Sequence, residues 1–252
     1  MDDKDNIDDI SVIIPTADRE QLLRRAVDSV LRQSVSPSKI RVVDNGVNEV
    51  NIQFDDPRVV IIRTEPRIGP GRSRNMGARS SDTKYIAFLD DDDWWDSGYI
   101  ENTIRKFEET NADVVVGQLK RCGIDGCLRD YKLFPENPCL QRKVFFSNPG
   151  FGGQNIAMKK EVFFEVGCFD ERMPASVDRD LAARLIVAGK SIVCEPKAIA
   201  VLCEHAGGRV RMNQVKGNWM FICKHWRQMR LKELFRALTI LLKRRVLHLA
   251  RH

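Results

Sequence analysis

No apolar run in this 252-residue chain reaches the roughly 20 residues that a membrane-spanning helix needs. Of the seven cysteines, only Cys122 and Cys127 stand close together, and no second pair follows at finger-like spacing. Reduced structural thiols are therefore expected rather than a zinc cluster. A phosphate-binding G-x-x-x-x-G-K-[ST] is missing, because Gly69-Pro-Gly-Arg-Ser-Arg-Asn-Met-Gly77 has no lysine, which argues against a P-loop hydrolase. The first apolar run ends in Pro15-Thr16, not Asp, which disfavours an aspartyl-phosphate hydrolase. A nucleotidyltransferase would carry its glycine-rich phosphate loop there, and Pro15-Thr16-Ala17 stands in its place. The start, Met1-Asp2-Asp3-Lys4-Asp5, is acidic where a secretory leader would be basic and then apolar. The expectation is a cytoplasmic protein.

What is present is a chain able to bury a core, with 43% apolar and 30% charged residues. The net charge of +6 is unevenly placed. Residues 219–252 hold nine Lys or Arg against one acid, Glu233, while the other 218 residues are close to neutral. Basic character confined to one end argues against nucleic acid as a partner and for a neutral body with a basic tail.

Apolar runs at Ile10–Pro15, Ile40–Val43, Val59–Ile62, Tyr85–Leu89 and Val114–Val116 predict strands. Helical spacing predicts helices over about 19–33 and 97–110, and a glycine-rich turn at Gly69–Gly77 opens a short helix between them. Strand–helix alternation is the pattern of an α/β fold with a mostly parallel, Rossmann-like sheet flanked by helices. Residues 117–150, with Pro135, Pro138 and Pro149, read as loop, and 159–203 as a further helix and strand region. The chain divides into an acidic disordered lead (1–9), a body (10–210) and a basic amphipathic helical tail (211–252).

In such sheets ligands bind at the carboxyl ends of the strands. Pro15-Thr16-Ala17-Asp18-Arg19, Asp44-Asn45 and Asp90-Asp91-Asp92-Asp93 all follow predicted strands, so they are expected to form one site. Four adjacent carboxylates repel one another unless a cation neutralises them, and oxygen ligands suit Mg2+ or Mn2+. The alternative, a solvated acidic turn, fits poorly with Trp94-Trp95 directly after the run.

Six blocks in order resemble glycosyltransferase family 2. They are Ser11–Thr16, Arg41–Gly46, Gly69–Gly77, Ile86–Trp95, Gly152–Glu171 and Asp178–Leu185, and the likeness spans about residues 10–210. The layout is similar to bacterial transferases that build surface polysaccharides. The resemblance implies a GT-A fold and a nucleoside-diphosphate sugar donor. It implies Asp92 as direct metal ligand, with Asp90 or Asp91 at the ribose or the metal's water shell. Pro15, Thr16, Arg19, Asp44, Asn45 and Arg74 would line the nucleotide. Asn45 stands where the family has a second acid; its carbonyl still accepts from a pyrimidine N–H, which keeps uridine or thymidine open.

Asp178 falls at the family's base, which takes the acceptor proton in an inverting displacement. The family commonly has Glu before it; here Val177 stands there. Two residues on, Asp180 would point about 200° away on a helix, so a structural pair with Arg184 is expected instead. His205 would stand near the metal or diphosphate, and Arg209 or Arg211 could neutralise the diphosphate. Trp94, Gly153, Gln154 and Asn155 would face the acceptor, a glycan or lipid-linked hydroxyl compound. A nucleotide-sugar-binding regulator of the same fold is the rival from another class; only a transferase releases free diphosphate. Ile222, Trp226, Met229, Leu234, Phe235, Leu238, Leu241, Leu242 and Leu249 recur at helical spacing. Helices packed on the body, or an anchor that holds residues 219–252 on anionic lipid at the inner membrane face, both fit.

Overall fold

The computed structural model describes residues 9–204 and 211–249, with side chains described from 213 to 243 in the second stretch. Strands β1 (Ile10–Thr16), β2 (Lys39–Asp44), β3 (Val59–Arg63) and β4 (Tyr85–Phe88) pair in parallel in the order β3-β2-β1-β4. Helices α1 (Glu20–Leu31) and α2 (Pro70–Arg79) connect them.

These strands read as nearly continuous apolar runs because both faces are covered. Alternate residues enter two cores. Ile13, Ile86, Phe88, Val114 and Val116 lie on one face, and Ile10, Val12, Ile14, Ala87 and Val115 on the other. α1 buries Leu23, Ala26, Val27 and Val30 on the second face. α2 lies so close to the first that a Cβ on Gly77 would come within 2.5 Å of the Ile13 side chain.

Beyond β4 the sheet becomes mixed. β8 (Ile156–Lys159) runs antiparallel between β4 and β6 (Val114–Cys122), while β9 (Ile192–Cys203) runs parallel to β6. β5 (Trp94–Trp95) adds antiparallel to β9 at the far edge. Residues 117–150 are not simply loop. β6 continues to Cys122 and turns back as β7 (Leu128–Lys132), so the polar alternation there belongs to a hairpin leaving the sheet. α3 (Tyr99–Thr110) covers the second face. The short helices α4 (Pro138–Gln141) and α5 (Lys160–Glu165), with α6 (Val177–Val187), α7 (Arg211–His225) and α8 (Leu231–Leu249), are the remaining α-helices among the described residues.

α7 is fastened to α6. The Asp180 carboxylate, fully buried, meets Arg184 at 2.8 Å, Lys224 at 2.9 Å and His225 Nε2 at 2.8 Å, so the expected pair with Arg184 is present and enlarged. Arg179 donates to Asn218 at 2.7 Å and lies over the buried Phe221 ring. α8 is tied on by the Arg142–Glu233 fork at 2.8 and 2.6 Å. No helix among the described residues is long and apolar enough to cross a membrane.

Candidate active site

The parallel register sets the site. Thr16 pairs with Asp44 at the carboxyl ends of β1 and β2, and β4 on the other side of β1 runs directly into Asp90. All three polar clusters named from the sequence therefore meet at one edge of the sheet. Thr16 Oγ1 donates to Asp91 Oδ2 at 2.8 Å. Arg19 reaches from the start of α1 to Asp91 at 3.3 Å and Asp92 at 3.1 Å. Arg25, one and a half turns into the same helix, donates to the Asp92 carbonyl. No spacing rule singled out Arg25, because its role depends on how α1 lies across the acidic turn.

Asp91 is 6% exposed, and burial pushes its carboxyl up to about 6 against the opposing pull of Thr16 and Arg19. Asp90, Asp92 and Asp93 can each offer an oxygen such that the three lie within 4.8 Å of one another. Ligands on an ion of ~2.1 Å bond length lie roughly 3 to 4 Å apart, so this oxygen set has the chemistry and about the size that would suit Mg2+ or Mn2+. Asp93, absent from the expected ligands, joins the cluster while one of its oxygens accepts from the Cys203 amide at 2.9 Å. The run of four Asp was the only sequence signal for it.

Arg74 on α2 is the hub of the other half. It is 4% exposed, forms an ion pair with Asp90, and its Nη1 lies 3.9 Å from Asp178 in the first turn of α6. Burial alone would lower its pKa, but the Asp90 and Asp178 charges outweigh that and raise it. The Phe169 ring packs 5.3 Å from the guanidinium. Gly153 lies against the same group, where a Cβ would stand 2.7 Å from Nη2. The next residue, Asn75, holds the Phe169 backbone by two hydrogen bonds of 2.9 and 3.0 Å.

The remaining expected residues divide. Pro15 is buried within β1. Asp44 is 1% exposed and accepts from the Gly46 and Val50 amides and from Arg63, which shapes the loop after β2. Asn45 donates to the Thr16 carbonyl at 2.7 Å. Asp18 accepts from the Val47 and Asn48 amides, and these bonds lower its pKa. The loops after β1 and β2 are thus clasped together beside the acidic turn. Asn155 is fully buried, and its amide is spent on the Gly117 and Gly150 carbonyls. The Gln154 carbonyl accepts from the Trp95 indole at 2.7 Å. Trp94 is half-buried and lines a cleft of about 400 Å3 with Arg25, Ser29 and Arg32. His205 and Arg209 lie outside the described residues, and the side chain of Arg211 does too.

The model of glycosyl transferase family 2 matches residues 11–169. Glycosyltransferase GlyA of Streptococcus pneumoniae is 34% identical over 116 residues, 44% of this chain and 16% of GlyA. The putative colanic acid biosynthesis glycosyl transferase WcaA of Escherichia coli is 26% identical over 71% of this chain and 66% of its own length. The chain spans less than two thirds of either relative. Among solved structures, Staphylococcus aureus TarS in complex with UDP-GlcNAc superposes with a TM-score of 0.70, at 16% identity, over 94% of this chain and 72% of TarS. That likeness shows the fold, a GT-A sheet flanked by helices.

Proposed function

We propose that this chain, which belongs to glycosyltransferase family 2, moves a sugar from a nucleoside-diphosphate sugar to a hydroxyl of a glycan or lipid-linked acceptor in polysaccharide synthesis. One observation carries the reading. The acidic run, the Thr16–Arg19 turn and Asp178 converge at one sheet edge, linked through Asp91 on one side and Arg74 on the other. The family match and the biosynthetic names of relatives support it, and so does the UDP-GlcNAc held by TarS.

Pro15, Thr16, Asp44 and Asn45 frame the base and ribose of the donor, uridine by preference. Asp92 with Asp90 and Asp93 holds a divalent cation, Mn2+ or Mg2+. When bound, such an ion offsets the charge that grows on a departing diphosphate. Arg19 adds a cation at the same place. Asp178 takes the proton of the acceptor hydroxyl while that oxygen bonds to the anomeric carbon and the bond to diphosphate breaks. Attack from the face opposite the leaving group inverts the centre. Asn155 supports the Gly153–Gln154 turn from behind, and Trp94, Gly153 and Gln154 form the acceptor side. The reading includes a peripheral place on the inner membrane face, where a lipid-linked acceptor is met.

Calorimetry with UDP, GDP and dTDP, with and without Mn2+, tests the donor assignment, and UDP release from donor sugars tests turnover. Asp178→Asn is expected to keep donor binding and lose transfer by several hundredfold, whereas Asp92→Asn loses metal-supported binding. Absence of binding by all three nucleotides in the presence of Mn2+ overturns the assignment.

A further inference from the structure

We infer that the outward face of α8 docks on an anionic phospholipid surface. α8 has two unlike faces. Inward, Glu233 and Ala237 are buried, and Glu233 is held by Arg142. Outward, Leu231 is 87% exposed, Phe235 73%, Leu238 42% and Leu242 64%. Their spacing of i, i+4, i+7 and i+11 puts all four in a sector of about 60° on a helix of 100° per residue. This is a continuous apolar row on a surface helix, rather than apolar residues scattered singly.

Charge names the occupant. Lys232, Arg236 and Lys243 run along one flank of the row, and Arg244 and Arg245 follow in sequence. Glu233 is the one acid of residues 219–252, and it is buried in its fork with Arg142. A second copy packed antiparallel on this row would bring basic flank against basic flank, and in either orientation α8 has no exposed acid to offset the cations. An anionic bilayer meets both needs, taking the apolar row to the acyl boundary and the cations to the headgroups. A smaller version of the pattern lies on α7 and the turn directly after it, where Trp219 and Trp226 are both about half exposed. Because Phe221 and His225 of α7 are buried against the body, the docking face is the outer side of the helices, not a tail that detaches. The inference rests on the peripheral membrane place of the proposed function and names the surface that makes it, while the transfer chemistry stands or falls separately.

Vesicle flotation of the full chain tests it, with phosphatidylcholine alone and phosphatidylcholine mixed with phosphatidylglycerol. The chain is expected to bind the anionic vesicles at least about tenfold more tightly, and to weaken as salt rises. Leu231→Ser with Phe235→Ser should reduce that binding by a further factor of about ten or more, since two exposed side chains lose their apolar burial. Lys232→Glu with Lys243→Glu should reduce it by about fivefold per site or more. All four side chains point outward, and thermal unfolding unchanged from the parent confirms an intact body. UDP release with a soluble donor, measured on the same samples, reads the catalytic site alone. Equal binding to neutral vesicles, or binding unaffected by both double variants, overturns the inference. So does a dimer in light scattering that the serine variant converts to monomer, which would assign the face to a second copy.

Discussion

Replacing Gly153 by Ala adds one methyl group at the point where the site has no room for it. The new Cβ would lie 2.7 Å from Arg74 Nη2, 2.9 Å from Cζ and 3.1 Å from Nε. Carbon–nitrogen contacts relax to about 3.5 Å, so the guanidinium or the Gly153 turn must move by close to 1 Å. A flexible arginine would swing away at little cost. Arg74 is pinned on its other sides by Asp90, Asp178 and the Phe169 ring. The backbone of Gly153 lies outside the left-handed region, so the substitution acts through this contact and not through φ. Overpacking of this kind costs about 1–3 kcal/mol of stability, and a 1 Å displacement in a catalytic arrangement costs up to about a hundredfold in rate. Thermal unfolding and UDP release measure the two effects. In an Arg74→Ala background the clash partner is gone, so Gly153→Ala should then be nearly neutral, giving a coupling of about 1 kcal/mol or more in the double-mutant cycle. If Gly153→Ala leaves kcat within twofold, or its cost is unchanged without Arg74, the guanidinium is not held as described.

Two further substitutions test buried carboxylates with opposite signs. Asp180 is fully buried; burial alone would raise its pKa, but His225, Arg184 and Lys224 more than offset that and lower it below the ordinary 3.8. Its contribution to stability is present above about pH 4 and is lost as pH falls further. Asp180→Asn should cost about 3–5 kcal/mol at pH 7 in urea unfolding, with the difference from the parent shrinking below pH 4. An unchanged difference at low pH would contradict the ion-pair account. Asp91 is the reverse case, since burial raises its pKa from 3.8 to about 6. Its ionisation opposes folding as pH rises through that interval, by at most about 3 kcal/mol. Asp91→Asn should therefore raise Tm by several degrees at pH 7 and leave it unchanged at pH 3.5, and a lower Tm at pH 7 would refute the reasoning.

The first four strands were legible to within two residues because parallel strands covered on both faces leave continuous apolar runs. The rest depended on distant partners. Trp94-Trp95 becomes a strand only by pairing with Ala200 and Val201, and β8 forms only between β4 and β6. Gly117, which reads as the end of a strand, instead marks a register shift: a Cβ there would meet the Ala198 carbonyl at 2.3 Å, so β6 passes β9 too closely for any side chain. In the site, the clusters after β1, β2 and β4 could be assembled from the α/β pattern alone. The enclosure of Arg74 could not, because Gly153 and Phe169 come to it from almost 80 or more residues away.

Asp178 and Asp180 show why the C-terminal helices belong to any account of the site. Two residues apart on α6, they face in different directions, one to Arg74 and one to α7. Asp180 fixes the rotation of α6 by binding Lys224 and His225, and the Arg179–Asn218 bond reinforces it from the neighbouring position. A helix cannot turn one side chain without turning the next, so the hold on Asp180 also sets where Asp178 points. α7 therefore acts on the site at a distance of one helix width, by positioning the carboxylate it does not touch. Lys224→Met should weaken this hold while leaving the buried His225 contact in place. The expected signature is a lower kcat with donor affinity unchanged, because the proposed nucleotide end of the site rests on β1, β2 and β4. A variant that instead lost donor affinity with kcat preserved would show that α7 acts on the nucleotide side, and that the two acids of α6 are not mechanically linked.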